Sequence, residues 1–302
     1  FKPSMVWIKN RGLVRDHNLA DIIQGVSREI TPNTSEAQEN RSVTSFDSDG
    51  FTLDNASGNY NANGNNYVAW NWKANPTPTI NTDGTIQSIV SANQASGISI
   101  IQYTGTGSAG TVGHGLSAKC DMVIIKTLDS INNWIVQLPQ LGDNARMLLD
   151  NTSAKSDDST TAQAGNATVF GIGADNSVAK SGDSFIAYCF TSISGFSKIE
   201  SYTGNGSTTG PTVNLGFEPQ WLMIKDADGA ENWQIFDQMR GMPVGGQPIH
   251  LYPNSTAAEG SVDNQFEITP TGFKLTSVSN RTNASGDNYI YMAIRRGPLA
   301  AP

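Results

Sequence analysis

The chain carries one pattern three times. Ile100, Tyr103-Thr104-Gly105, Gly107-Ser108, Leu116, Ile125-Lys126 and Asn133-Trp134 recur as Ile199, Tyr202-Thr203-Gly204, Gly206-Ser207, Leu215, Ile224-Lys225 and Asn232-Trp233, every pair 99 positions apart. A fixed spacing kept without a gap marks each copy as one folding unit, so the fold must be an array of similar modules. The opening segment joins the same register: Phe1, Pro3, Ile8-Lys9, Asp21 and Gly25 match Phe217, Pro219, Ile224-Lys225, Asp237 and Gly241, all 216 positions on. Pro32-Asn33 corresponds to Pro253-Asn254, with Asn151 in the middle copy. Each copy is expected to close on a Ser-Gly turn and an aromatic strand: Ser57-Gly58 before Tyr67 to Trp72, Ser181-Gly182 before Phe185 to Phe190, and Ser285-Gly286 before Tyr289 to Ile294.

These alignments predict a first repeat over 1–74, a linker over 75–96, a second repeat over 97–194 and a third over 195–302. The linker opens on Asn75-Pro76-Thr77-Pro78-Thr79, an extended, proline-interrupted stretch, and Ile86 to Val90 can add a short strand after it. The first repeat lacks the counterpart of Ser197 through Gly216, including the Tyr-Thr-Gly-x-Gly strand and turn. A sheet without that strand would present an unpaired edge. The expectation is that this chain continues a longer polypeptide or that another chain supplies the strand.

Within a copy the apolar runs are short, rich in Ile, Val, Phe, Tyr and Trp, and bounded by Gly, Asn, Asp and Ser. Those are strand and turn signals. The predicted fold class is all-β, a tandem array of jelly-roll-like β-sandwich repeats. The exception is His17 to Gly25, where Leu19, Ile22, Ile23 and Val26 permit a short helix or turn. Phe185 to Phe190 is apolar on both parities, which predicts a strand covered on both faces. Trp134 and Trp233 occupy matching places and are expected to anchor cores. Asp21 recurs as Asp237, but the middle copy has Leu138 there, so the acid is expected to make local hydrogen bonds and not to catalyse.

Charge and composition remove several function classes. Lys plus Arg is 19 against 27 Asp plus Glu, a net charge of −8 that argues against wrapping a nucleic acid. No apolar run approaches the roughly 20 residues of a membrane-spanning helix, so no membrane insertion is expected. Cys120 and Cys189 are the only cysteines, too few for a disulfide scaffold. No charged segment followed by an apolar one opens the chain, and residue 1 is Phe, which raises the expectation of residues upstream.

Candidate motifs fail on context. Gly105-Thr106-Gly107-Ser108-Ala109-Gly110 spells GxGxxG, but no helical pattern follows to hold a pyrophosphate, and the segment reads as a hairpin turn. Asp47-Ser48-Asp49-Gly50 and Asp226-Ala227-Asp228-Gly229 are fragments of a calcium loop, and neither completes one. His17, His114 and His250 fall at non-equivalent places, with no nucleophile elbow, HExxH pair or Cys/His pattern beside them. A pair of glycosidase carboxylates leaves no spacing signature among 27 acids. The Asn-x-Ser/Thr triplets at Asn33, Asn55, Asn151, Asn205, Asn254 and Asn283 follow from composition. No catalytic, cofactor-binding or metal-ligating residue is assigned, no cofactor is expected, and the chain is not expected to be an enzyme.

The strings Met5-Val6-Trp7-Ile8-Lys9-Asn10-Arg11, Ser45-Phe46-Asp47-Ser48-Asp49-Gly50-Phe51-Thr52-Leu53, Tyr67-Val68-Ala69-Trp70, the Tyr-Thr-Gly-x-Gly turns and Tyr289-Ile290-Tyr291-Met292-Ala293 resemble a tandem β-repeat of structural and tail-fibre proteins from marine tailed phages. The resemblance covers nearly the whole chain. It implies a virion component, a fibre or similar appendage with an adhesive or host-recognition role, and it brings no catalytic residues. The partners it implies are other virion proteins, further copies of the chain in a homo-oligomer with the trimer as one option, and a host surface glycan. A tailspike-type polysaccharide-degrading domain and a capsid decoration protein are the alternatives.

Overall fold

Short β-branched and aromatic runs broken by Gly, Asn and Asp leave little room for helix, and the computed structural model is built almost wholly of strands. It describes residues 1–40, 43–54, 58–242, 247–261 and 265–295. The first repeat contains β1 (Met5–Asn10), β2 (His17–Asp21), β3 (Val43–Phe46), β4 (Phe51–Leu53) and β5 (Tyr67–Trp72). The second contains β6 (Thr79–Asn81), β7 (Ser88–Asn93), β8 (Ile98–Thr104), β9 (Gly110–Gly113), β10 (Met122–Thr127), β11 (Ile135–Gln137), β12 (Ala145–Leu148), β13 (Ser156–Asp157), β14 (Ala162–Gln163), β15 (Val169–Ile172) and β16 (Ser184–Phe190). The third contains β17 (Ser197–Thr203), β18 (Thr212–Asn214), β19 (Pro219–Asp226), β20 (Gln234–Asp237), β21 (Ile249–Leu251), β22 (Gly260–Ser261), β23 (Phe266–Thr269), β24 (Gly272–Leu275) and β25 (Asn288–Arg295). A four-residue helix, α1 (Asn176–Ala179), is capped by the Asp175 carboxylate, which accepts from Ser177 N–H.

Every repeat has a main antiparallel sheet and a small one. The orders are β2-β1-β5 with β3-β4 in the first repeat, β13-β12-β11-β10-β16-β8-β7-β6 with β14-β15-β9 in the second, and β17-β25-β19-β20-β21-β22 with β18-β24-β23 in the third. In the second repeat Tyr103, Val123, Ile125, Phe185 and Ala187 of the main sheet share a buried core with Val112, Phe170 and Ile172 of the small one. In the third, Leu222, Ile224, Phe236, Tyr289 and Tyr291 meet Val213, Phe266, Ile268 and Phe273 in the same way. These are sandwich-like modules, with side chains of two sheets interdigitating between them. In the first repeat only Val6, Ile8 and Tyr60 are fully enclosed in that layer, and Phe46, Phe51, Leu53, Tyr67 and Ala69 are partly covered.

The chain divides into two bodies, and each departs from simple repeat boundaries. One comprises Phe1–Asn151, Ser156–Thr191 and Asn254–Ala258; the other comprises Thr152–Lys155, Ser192–Pro253 and Glu259–Pro302. In the first body β16 is buried on both faces, as its doubly apolar pattern predicts. One face belongs to the sandwich core. On the other the Tyr188 hydroxyl donates to Asp21 of the first repeat at 2.7 Å.

Four local expectations need correction. Residues 79–93, assigned to the linker, supply β6 and β7 to the second repeat's main sheet, and only the proline-rich start is a connection. His17 to Gly25 is no helix: β2 pairs with β1 through Asp21, and Asp21 Oδ1 then accepts from the N–H groups of Ile23 and Gln24, which turns the chain. The segment after Tyr103-Thr104 is a turn but not a hairpin, because β8 pairs with β16 while β9 pairs with β15; it carries the chain from one sheet to the other. Finally, the first repeat's turn before β5 is Asn63-Gly64, where Gly64 has φ +78° against +84° at Gly182 and +90° at Gly286. Gly58 lies further upstream, and Ser57 falls outside the described residues.

The Tyr-Thr-Gly-x-Gly motif is explained by this geometry. Tyr103 stacks on Phe185 and Tyr202 on Tyr289, with ring centroids 5.1 Å apart in both repeats. A Cβ on Gly105 would stand 2.2 Å from the Lys180 carbonyl oxygen, and one on Gly204 would stand 2.2 Å from that of Ala284. Gly107 and Gly206 take φ +75° and +62°, which side-chain-bearing residues rarely adopt.

Candidate functional site

The repeated Ile-Lys pair places a lysine as the next-to-last residue of β1, β10 and β19, strands buried along nearly their whole length. Lys9, Lys126 and Lys225 are each fully buried. A buried ammonium must be matched by acceptors. Lys126 Nζ donates to the carbonyls of Asn132 at 2.9 Å and Ser35 at 3.0 Å. Lys225 Nζ donates to Asp226 and Gly229 carbonyls at 2.5 and 3.0 Å. Lys9 Nζ reaches the Asn10 carbonyl at 2.8 Å and that of Thr256 at 3.3 Å.

Ser35 and Thr256 each lie two residues after the matched asparagines Asn33 and Asn254, so the same loop of two different repeats meets the lysine of another. The same carbonyls serve a second donor, for Asn132 N–H bonds Ser35 and Arg15 N–H bonds Thr256, both at 2.9 Å. Next to them Gln38 N–H donates to the Leu128 carbonyl at 2.9 Å. In the second body Lys155 N–H donates to the Ala227 carbonyl, matched to Leu128 at the 99-residue spacing, at 2.7 Å. Each repeat thus extends a short arm, 31–38, 152–155 or 254–258, onto a module other than its own. Trp134 helps to hold the first arm: its indole N–H is shared between the Thr31 and Thr34 carbonyls at 3.2 and 3.0 Å.

The electrostatics follow from burial. Lys126 and Lys225 are each pushed down to about 8, chiefly by desolvation, while Asp150 and Glu36 on one side and Asp226 and Glu231 on the other favour the charged form. A lysine in that range is a chemical nucleophile in an open site. Here the ammonium is closed off from solvent and its protons point at backbone carbonyls, so the arrangement clamps chain segments together.

The residues weighed from sequence fall into structural places. Trp134 and Trp233 are buried, as expected of core anchors. The first repeat has His17 in that slot, where its Nδ1 accepts the Trp7 indole N–H at 2.9 Å. Asp47 caps the β3–β4 turn, accepting from Ser45 and Thr52 hydroxyls, both at 2.8 Å. Asp226 accepts from the N–H groups of Asp228 and Gly229, and Asp228 from the backbone and side chain of Asn288. Asp47 and the Asp226–Asp228 pair therefore organise turns.

Two further clusters form, the first without a sequence signal. Cys120, Cys189 and His114 meet although 75 positions separate the outer two. A hydrogen bond from the Cys189 thiol holds Cys120 low, His114 adds to this, and burial pushes Cys189 up. The His114 ring is occupied by Leu116 N–H at Nδ1 and the Asn166 carbonyl at Nε2, so it locks a corner beside the thiols. The second cluster is one position solved three ways. Asp21 faces Gln24, Leu138 precedes Leu141, and Asp237 is paired with Arg240 in nearly complete burial. Burial pushes the Asp21 carboxyl up, opposed by hydrogen bonds from Gln24 and Tyr188.

His250 makes the second body acid-sensitive. Burial, then the charges of Arg281 and Arg240, push its imidazole down to about 4, and it packs on Tyr252 with ring centroids 4.4 Å apart. The unfolded chain protonates this ring near pH 6.5, but the folded one does not until about pH 4. The stabilisation is complete above pH 6.5 and drains away as pH falls toward 4, with a ceiling of about 3 kcal/mol. Denaturant unfolding at pH 7.5 and 4.5 should show this loss in wild type and a smaller one in His250→Leu; equal losses would refute it.

The loops that follow the buried lysines expose one apolar residue at matched positions. Val14 and Ile131 are 67% and 65% exposed, and Ala230 stands at the same place in the third repeat. Among the described residues, no helix is long and apolar enough to cross a membrane. A family described as Domain of unknown function (DUF7483) matches residues 1–298. Neither a curated protein nor a solved structure matches the chain.

Proposed function

The chain belongs to the DUF7483 domain family over nearly its whole length, and from that premise we propose that it is a non-enzymatic structural protein of a virion, a tail fibre or similar appendage with an adhesive role. The observation that carries the non-enzymatic part is the use made of the shared polar side chains. The buried lysines and the turn aspartates, groups that could serve chemistry, are engaged in holding loops, arms and turns. The virion setting rests on the resemblance of the repeated strings to marine phage structural and tail-fibre repeats.

Under this reading the sandwiches are jelly-roll-like spacers, and the loop tips at Val14, Ile131 and Ala230 make contact with a host surface glycan or a neighbouring virion protein. Each tip alone would bind weakly. Several tips on one chain, and several chains in a homo-oligomer, would raise the effective concentration enough for lasting adhesion.

Labelled antibody against the chain should decorate an appendage of the particle. Particles carrying Val14→Asp with Ile131→Asp should adsorb to host cells at least tenfold more slowly while the purified double variant keeps its melting temperature. Unchanged adsorption would remove the tips from the reading. Host polysaccharide incubated with the chain should show no new reducing ends, and sustained release would replace adhesion by depolymerisation.

A further inference from the structure

The cluster that the proposed function leaves unused is His114, Cys120 and Cys189 of the second repeat, all three buried. Both cysteines carry free thiols. Cys189 continues the core-facing row of β16 after Phe185 and Ala187, and Cys120 packs into the same core just ahead of β10. Two bonds hold Cys120 there. Asp121 N–H donates to the Phe190 carbonyl at 2.8 Å, and the Lys119 carbonyl accepts from the Thr191 hydroxyl at 3.3 Å. The neighbours of Cys120 on either side are thus tied to the two residues that follow Cys189, and the thiols hydrogen-bond to each other. His114, directly after β9, is held in one orientation by Leu116 N–H and the Asn166 carbonyl, and it hydrogen-bonds Cys120.

The third repeat shows that the module folds without these side chains. At the matched positions it has Val213, Pro219 and Ala293, all buried. Packing alone therefore does not call for a thiol pair and an imidazole at this place. The two thiols also differ. Cys120 is the low member, held down by the Cys189 hydrogen bond and then by His114, while burial pushes Cys189 up. The thiolate is the reactive form, so Cys120 is the sulfur that reacts first and Cys189 the one that resolves. Access favours the same order. Ser117, Ala118 and Lys119, directly before Cys120, are exposed, whereas Cys189 lies inside a strand buried along almost its whole length. Opening that short exposed stretch admits a small oxidant.

We propose that Cys120 and Cys189 form a redox modification site, at which a hydroperoxide closes a reversible disulfide between β16 and the segment leading into β10, with His114 favouring the reactive form of Cys120. With hydrogen peroxide the Cys120 sulfur attacks one oxygen, the O–O bond breaks, and the departing hydroxide takes up the proton that the Cys120 thiol gave up. Cys120 is then a sulfenic acid. The Cys189 sulfur attacks the Cys120 sulfur, and the sulfenic hydroxyl leaves as water with the Cys189 proton. In sum the two thiols lose two protons and two electrons, and the peroxide is reduced to two molecules of water. The disulfide closes a loop from residue 120 to residue 189, most of the second repeat, and restricts the unfolded chain accordingly. The inference is independent of the virion reading.

The test treats the reduced, whole 302-residue chain with hydrogen peroxide, alkylates the remaining thiols and maps the peptides by mass. A Cys120–Cys189 cross-link within one chain is expected, with the melting temperature of the first body raised by about 5 °C or more. Dithiothreitol should reverse both changes, which separates this product from oxidised methionine. In Cys189→Ala, the residue the third repeat carries, a dione probe should trap a sulfenic acid on Cys120; in Cys120→Ala, oxidation of Cys189 should be at least tenfold slower than that of Cys120 in the wild type. His114→Val should slow the reaction at least tenfold at about pH 6.5 and far less at about pH 9, where the thiolate forms unaided. Equal slowing at both would overturn the role given to His114. If the variants fail to fold, the wild-type product decides. Thiols that survive the peroxide, cross-links only between chains, or sulfinic acid without the intrachain bond would overturn the site.

Discussion

Trp134→Ala is expected to destabilise the first body by about 4 kcal/mol, the upper range for truncating a buried aromatic. Two losses combine. The indole is wholly enclosed, so its removal leaves a cavity that rigid strands on either side cannot close. Its N–H is also shared by the Thr31 and Thr34 carbonyls, so the arm from the first repeat loses a fixed donor. Trp134→Phe, which keeps most of the volume but not the donor, should cost about 1–2 kcal/mol. Urea unfolding followed through the transition of the first body measures both, because two bodies need not unfold as one. A loss below about 1 kcal/mol for the alanine variant would remove this residue as an anchor of the arm.

The second large effect belongs to Arg240. Arg240→Leu should cost the second body about 3–5 kcal/mol, because it leaves the Asp237 carboxylate buried beside an apolar side chain. Arg240 also bonds the Ile235 carbonyl at 3.0 Å, a contact that is lost with it. The double variant Asp237→Leu with Arg240→Leu should recover to within about 1 kcal/mol of the wild type, since it removes both charges together. The protein has already made that substitution: Leu138 and Leu141 stand at these positions in the second repeat. A double variant as unstable as the single one would show that the pair is required by its surroundings and is not one of several equivalent ways of filling the slot.

Particular residues show how far the sequence could be read. The aromatic strand Phe185 to Phe190 declared its double burial because every residue is apolar, and a strand with one wet face cannot be. Trp134 and Trp233 announced themselves as anchors by recurring at one spacing. The turn glycines of the second and third repeats were equally legible, though the kind of turn was not: whether β9 folds back on β8 or crosses to another sheet depends on which partner offers the better register, and no local residue states it. Of the short helix or turn expected over His17 to Gly25, the turn forms at 22–24 and the helix does not, for a related reason. Leu19, Ile22 and Ile23 fit a helical stripe, yet β1 offers a ladder of backbone bonds that only an extended segment can take.

The sites show the same division more sharply. Lysine in the apolar run Val-Ile-Ile-Lys is itself a signal, because an ammonium there must find acceptors. That the acceptor is the Ser35 carbonyl, 91 positions away, is a fact of chain path. The meeting of Cys120, Cys189 and His114 is of the same kind.

What the amino-acid sequence determined alone is the class of the molecule: one module pattern repeated along the chain, with strands and turns throughout. Those properties are set by the identity and order of neighbouring residues, and they hold wherever the segments go. Tertiary structure alone decided which strand edges are filled, which module each arm grips, and which polar groups are enclosed. Those outcomes arise from contacts between residues far apart in the chain, and their energies exist only once packing has excluded water from between them.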